Sequence, residues 1–228
     1  MLPRMKKPMI LLLALFTVLA VSCTSETTST GTSADGVPEA VATPTPEPAD
    51  EFLARLAMHC GQAFAGKITA NEPAVENDPF EGKELIMHVR KCGEKEIEVP
   101  FHVGDDHSRT WVLTRTGEGL RLKHDHRHED GTDDAVTMYG GNTSQPGTAA
   151  RQEFPVDEFS KEMFKREDLD VSTTNTWAME IEPNQKFVYE LARPGRLFRV
   201  EFDLTKPVAI PPTPWGHEES EGNARTDL

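Results

Sequence analysis

Basic residues are scarce in this 228-residue sequence, which has 24 Lys and Arg against 38 Asp and Glu and a formal net charge of −14 with histidine neutral. It contains neither a cluster of Lys and Arg nor a recognisable nucleic-acid-binding motif. Because phosphate contacts need a concentrated basic face, the composition argues against nucleic acid as a partner. An acidic surface of this kind is typical of an exported domain that must stay soluble.

The common catalytic motifs are missing too. The sequence has no complete GxSxG, P-loop, GxGxxG, SxxK or HExxH pattern. Each of these motifs places a nucleophile, a phosphate cradle or metal ligands at a spacing that the chemistry requires. Their absence favours a non-catalytic protein.

Cysteine is also rare, and the first of the three cysteines closes an N-terminal leader. Residues 1–22 carry basic residues followed by a short apolar run, as a signal peptide does, and the run is too short for a stable span. Ala20, Val21 and Ser22 precede Cys23 and resemble the lipobox of the lipoprotein-processing peptidase. We predict cleavage before Cys23 and its lipidation, which would anchor the chain in a membrane. The alternative is an ordinary secretory signal cut nearby, which would leave a soluble protein.

The residue after the lipobox indicates where the anchored chain would go. Thr24 follows Cys23, in place of the Asp that retains many lipoproteins of Gram-negative bacteria at the inner membrane. By that resemblance we expect a cell-envelope protein on the outer membrane, facing the periplasm. The compartment is oxidising, so we predict that Cys60 and Cys92 form a disulfide. The bridge would close a loop of about thirty residues and contribute on the order of 3 kcal/mol.

Composition divides the mature chain into three parts. Residues 23–50 are rich in Ser, Thr, Pro and acidic residues and cannot bury enough apolar surface to fold, so we predict a disordered tether. Residues 51–216 are predicted to form one β-rich globular domain, and residues 217–228 a polar tail.

Hydrophobic periodicity predicts mostly strands within that domain. Helical spacing occurs over 51–58 and again over 154–168. Elsewhere apolar residues alternate with polar ones, and Gly- or Asp-rich turns separate the runs. The alternating positions include Leu85, Met87, Ile97, Val99, Phe101, Trp111, Leu113, Leu120, Leu122, Val136, Met138, Trp177, Met179, Phe187, Tyr189, Phe198, Val200 and Phe202.

The predicted fold class is all-β, with a short N-terminal helix and one helical insertion. Consecutive short hairpins favour an antiparallel meander that closes into a lipocalin-like barrel. A two-sheet β-sandwich is the alternative, although it needs longer crossovers between its sheets.

One group of polar residues is a candidate for chemistry. In a regular strand His124, His126 and His128 project to the same face as Leu122, which is the inner face. Two imidazoles of an HxH pair, with a further ligand from a neighbouring strand, could hold Zn²⁺ and support metal binding or metal-dependent hydrolysis. Candidate further ligands are Asp105, Asp106, His107, Asp133 and Asp134. Alternatively, the strand simply becomes polar as it leaves the core.

Residues 60–216 resemble a group of secreted or lipid-anchored proteins of Gram-negative bacteria that has no assigned activity. The resemblance rests on 120–131 (LRLKHDHRHEDG), 137–141 (TMYGG), 199–204 (RVEFDL) and 214–216 (PWG). The resemblance implies that the protein is secreted or lipid-anchored, and it identifies no functional residue. Inward apolar alternation combined with a membrane tether leads us to expect an envelope lipoprotein that binds a small apolar ligand, a lipid or an envelope protein without catalysis.

Overall fold

The computed structural model describes residues 47–218, so the predicted signal peptide, Cys23 and most of the predicted tether and tail lie outside the described residues. The described chain contains two α-helices, α1 (Pro48–Ala57) and α2 (Glu158–Arg166), and the 3-10 helix Asp170–Thr174. Its strands are β1 (Ala63–Glu72), β2 (Leu85–His88), β3 (Lys91–Cys92), β4 (Glu96–Val103), β5 (Asp106–Arg115), β6 (Leu120–His126), β7 (Tyr139–Asn142), β8 (Arg151–Pro155), β9 (Thr176–Glu182), β10 (Lys186–Arg193) and β11 (Arg196–Val208).

The strands form one antiparallel sheet with the order β7-β6-β5-β4-β2-β1-β11-β10-β9-β8, and β3 pairs with β4. The sheet curves into a nearly closed barrel, which confirms the predicted all-β class and the barrel in preference to the sandwich. None of the helices between residues 47 and 218 has the length and apolar character that a membrane span needs.

The barrel closes where β7 meets β8, at a seam held by few backbone hydrogen bonds. The amide of Asp157 donates to the carbonyl of Gly140 at 2.9 Å, and the hydroxyl of Ser160 accepts from the Gly140 amide at 2.8 Å. Asp157 also caps α2 by accepting from the Ser160 amide. The start of α2 therefore links the two edge strands, which are not neighbours in the strand order of the sheet.

Helix α1 closes one end of the barrel. It begins at Pro48, within the segment predicted to be tether, because Phe52, Leu53 and Leu56 form an apolar face that is buried in the core. An ion pair from Asp50 to Arg115 at the end of β5 fixes the helix against that rim. At the other end of the barrel α2 buries Met163 and Phe164 in the core.

The predicted disulfide is confirmed: Cys60 and Cys92 are bonded, and they are 32 positions apart in sequence. The bond joins the chain after α1 to β3 and so ties the plug to the wall of the barrel.

Aromatic rings fill the middle of the barrel. Trp111 lies against Tyr189 with ring centroids 4.5 Å apart and against Phe101 at 4.9 Å. Phe187 and Phe202 complete the cluster, and both are fully buried. These rings therefore occupy the interior between the α1 plug and the opposite end.

One predicted strand is wrong. Val136 and Met138 lie in an irregular segment, and β7 begins only at Tyr139. Asp134 accepts a hydrogen bond from the Val136 amide, and Met138 has a positive φ of 54°, so the backbone cannot continue a ladder there. Local side-chain bonding of this type competes with strand pairing.

Candidate ligand pocket at the open end of the barrel

A cavity of about 260 Å³ lies at the end of the barrel opposite α1. The ends of β6 and β10 and the starts of β7, β9 and β11 surround it, together with the 3-10 helix and the loop that carries Phe80. This volume is just below the ~300–1,000 Å³ of typical small-molecule sites, so it suits a small ligand or one end of a longer chain.

The cavity walls are mainly apolar and aromatic. They include Phe80, Val136, Phe164, Leu169, Trp177, Leu191 and Phe198. Phe80 comes from the loop after β1 and packs on Phe198 with ring centroids 4.8 Å apart, so the loop is held over the strands. Val171, in the 3-10 helix next to the cavity, is 64% exposed.

Two histidine–tyrosine pairs lie at one wall of the cavity, and three of these four residues, His126, Tyr139 and Tyr189, line it. His124 Nδ1 donates to the carbonyl of Tyr139 at 3.1 Å, because a carbonyl can only accept, and Nε2 then accepts from the Tyr189 hydroxyl at 2.9 Å. The Tyr139 hydroxyl lies 3.2 Å from His126 Nε2. The imidazole of His124 also stacks on the Tyr139 ring at 4.5 Å.

Burial keeps this wall uncharged. It lowers the pKa of His124 to about 3 and, together with the Arg109 charge, that of His126 to about 4. It raises the pKa of Tyr139 to about 12 and that of Tyr189 well above its usual value. Groups with these shifts stay neutral near pH 7, so they act as hydrogen-bonding wall residues and are poorly matched to acid–base catalysis.

The predicted histidine cluster is only partly assembled. His124 and His126 lie on the inner face as expected, but β6 ends at His126 and His128 is exposed in the following turn. The same-face placement of His128 is wrong, because the turn ends the two-residue alternation on which it depended. Both ring nitrogens of His124 already have protein partners.

The other candidate ligands do not complete a zinc site. Asp106 pairs with Arg109, Asp133 pairs with Arg127, and His107 lies against His102 with Nδ1 atoms 2.8 Å apart. Across residues 47–218, no group of three or more His, Cys, Asp or Glu side chains is placed to hold a metal ion. The zinc hypothesis therefore has no assembled ligand set behind it.

Two arginines stand at the rim of the cavity. Arg193 ends β10 and Arg196 begins β11, and the two are direct partners across the hairpin. Both line the cavity. The sequence pattern did not identify them as site residues, because Pro194 and Gly195 between them are typical of any turn that joins two strands. The presence of an arginine on each side of a two-residue turn was the signal that could have identified them.

The first residue of the predicted polar tail belongs to the folded domain. The imidazole of His217 lies 3.4 Å from a carboxylate oxygen of Asp125 and 3.5 Å from one of Glu98, on the outer face of the barrel. Hydrogen bonding to Asp125 and then to Glu98 raises the pKa of His217. Trp215, which precedes it, packs on His107 and donates its amide to the His107 carbonyl. The segment before the described C-terminus is thus attached to the strands.

Two further depressions of similar size, about 270 and 220 Å³, lie elsewhere on the surface. Their linings include polar and charged residues such as Gln145, Arg151 and Glu118, and contain no aromatic residue. Of these three cavities, the one at the open end of the barrel combines an apolar lining with a few polar groups, as ligand sites usually do.

Comparison with protein-family models, with curated proteins and with solved structures gives no match to this chain. Function must therefore be argued from the site itself.

Proposed function

We propose that this chain is a lipid-anchored envelope protein whose barrel binds a small apolar ligand at its open end, without catalysing a reaction. The observation that carries the proposal is the 260 Å³ cavity, whose walls are largely aromatic and aliphatic. The tether and lipid predicted at Cys23 would hold the domain near a bilayer, where apolar molecules are concentrated.

The packing of the barrel supports a ligand that enters only part of the way. Trp111 and its aromatic neighbours occupy the middle of the interior, beneath the cavity. The cavity is bounded below by Tyr189 and Trp177. A ligand of one or two rings, or the end of an alkyl chain, fits this depth.

The 3-10 helix offers a matched pair of variants that tests the site. Ser172 lines the cavity, and its hydroxyl makes no hydrogen bond in the described chain, whereas Thr174 is exposed two residues later. We expect Ser172→Trp to fill the opening and weaken binding of the neutral apolar dye N-phenyl-1-naphthylamine at least tenfold. Thr174→Trp adds the same ring outside the cavity and should leave the dye affinity within about twofold.

Dye fluorescence enhancement in a titration measures this directly. Circular dichroism of both variants checks that the fold is kept. If the wild-type domain does not bind the dye, or if both variants bind it as well as wild type, ligand binding at this end of the barrel is refuted.

Membrane anchoring makes a separate prediction. Expressed in a Gram-negative host, the full chain should sediment with membranes and lose residues 1–22, and its intact mass should show added acyl chains on Cys23. Cys23→Ser should remove the added mass and release the protein from membranes, because several acyl chains give the stable attachment. A wild-type chain that is cleaved but soluble and unmodified would instead support the ordinary secretory signal.

A further inference from the structure

The rim arginines carry positive charge that no acidic side chain within residues 47–218 neutralises. Arg193 donates from Nη1 to Asn175 Oδ1 at 3.2 Å. Arg196 donates to the carbonyl of Leu197 at 3.0 Å and lies over the Phe198 ring, 5.7 Å from its centroid. Its other contacts are long hydrogen bonds to the carbonyls of Glu72 and Pro73. Each guanidinium thus contacts neutral groups alone and keeps donors to spare.

Arg55, Arg90 and Arg121 also form no ion pair, but among these five described arginines only Arg193 and Arg196 are direct partners and line the cavity. Five other arginines of the barrel each form an ion pair with a carboxylate: Arg109, Arg115, Arg127, Arg151 and Arg199. The sequence has 38 acidic residues, yet no described carboxylate pairs with Arg193 or Arg196. Instead the two arginines face each other across the hairpin, and like charges directly opposite in a sheet are destabilising. Burial and the neighbouring Arg196 charge both lower the pKa of Arg193.

The direction of the side chains connects this charge to the cavity. Leu191 and Arg193 are two residues apart on β10, and Arg196 and Phe198 are two apart on β11, so each arginine shares a face with an apolar cavity residue. All four line the cavity. A molecule that enters between them therefore meets guanidinium groups at the rim and aromatic rings below.

We infer that the ligand is an anionic single-chain amphiphile, with its head group between Arg193 and Arg196 and its alkyl end against Trp177. This inference rests on the proposed function and names the ligand class. Planar guanidinium groups bind carboxylate or phosphate oxygens through paired N–H donors, and the head group would remove the repulsion between the two arginines. The Asn175 amide that holds Arg193 would keep one of them in position.

A matched pair of probes tests the contribution of the ligand's head-group charge separately from that of its alkyl chain. Decanoate and 1-decanol have alkyl chains of the same length, and both are titrated calorimetrically below the micelle concentration. Wild type should bind decanoate at least about tenfold more tightly than decanol, since charge-assisted hydrogen bonds exceed neutral ones. Raising the salt concentration should reduce that ratio, because the arginines are only half-buried.

Arginine variants test whether Arg193 and Arg196 are the residues that bind the anionic head group. The double variant Arg193→Gln/Arg196→Gln should weaken decanoate binding at least about tenfold and leave decanol binding within about twofold. The control is Arg121→Gln, which removes one arginine charge from an exposed position on the outer face of β6. This variant should leave the affinities for decanoate and decanol unchanged. Arg193→Gln alone leaves the Arg196 contacts with the loop after β1 in place, and is expected to show the same selective loss in smaller measure.

The outcomes separate the two proposals. If decanoate and decanol bind wild type equally, or if the arginine variants bind decanoate as well as wild type, the inference is overturned while apolar ligand binding stands. If neither probe nor the neutral dye binds wild type, the proposed function itself fails. A variant that still binds decanol has kept its fold, so a loss confined to decanoate identifies the head-group contacts.

Discussion

Replacing Gly141 by alanine is expected to destabilise the domain by about 3 kcal/mol or more, because it forces the barrel seam open. A Cβ at this position would lie 1.8 Å from the carbonyl oxygen of Pro155 and 2.8 Å from its carbon. These are backbone atoms of the edge strand β8, so they cannot rotate away as a side chain can. Relief requires β7 and β8 to separate, which would also strain the bond from Asp157 to Gly140.

Urea unfolding followed by circular dichroism measures this effect. Gly117→Ala is the control, since a Cβ there meets nothing within 4 Å. We expect that variant to unfold within about 0.5 kcal/mol of wild type or to be slightly more stable. Equal stability of the Gly141 variant and wild type would mean that the two edge strands are not in contact in solution.

Truncating Phe52 is expected to cost about 3–5 kcal/mol, as large-to-small substitutions of buried aromatic residues do. Phe52 is 0% exposed and belongs to the buried face with which α1 closes the barrel. Phe52→Ala leaves a cavity between the plug and the strands, and the disulfide that follows α1 limits how far the helix can move to fill it.

The control for the plug is Met58→Ala. Met58 directly follows α1 and is 62% exposed, so its truncation should change the free energy of unfolding by less than about 0.5 kcal/mol. Both free energies come from urea titrations, with the m-value checked for two-state behaviour. A Phe52 variant as stable as the Met58 variant would show that α1 does not contribute to the core.

Ligand binding provides a second readout for the same helix. The cavity lies at the opposite end of the barrel from α1, with the aromatic middle between them. We therefore expect Phe52→Ala to leave the dye affinity nearly unchanged under conditions in which the variant is still folded. This separates a loss of stability from a loss of the site.

Most strands could be predicted because one face of each is buried. Alternation at Ile97, Val99 and Phe101 has a two-residue period that only an extended chain satisfies, and these residues do face the core. The prediction failed at Val136 and Met138, where two apolar residues are enough to imitate a strand. There the side chain of Asp134 determines the backbone, and periodicity carries no information about that bond.

The site was much harder to predict than the strands. His124 and His126 were placed on the inner face, yet their tyrosine partners come from β7 and β10, 13 to 65 residues away along the chain. Arg193 and Arg196 looked like ordinary turn-flanking residues until the barrel placed them over a cavity. Lining residues such as Phe80 and Leu169 come from irregular segments. In such segments a sequence pattern does not predict the direction in which a side chain points.

The sequence by itself determined the all-β class, the disulfide and the inward faces of most strands. Period-two burial is a local constraint, and the pairing of Cys60 with Cys92 follows from the small number of cysteines in the sequence. Only the tertiary structure decided which end of the barrel is open, how β7 and β8 meet, and which polar groups surround the cavity. Those features depend on contacts between residues far apart in the chain. Helix α1 fills one end because its apolar face needs burial, and the cavity with its two unpaired arginines lies at the opposite end.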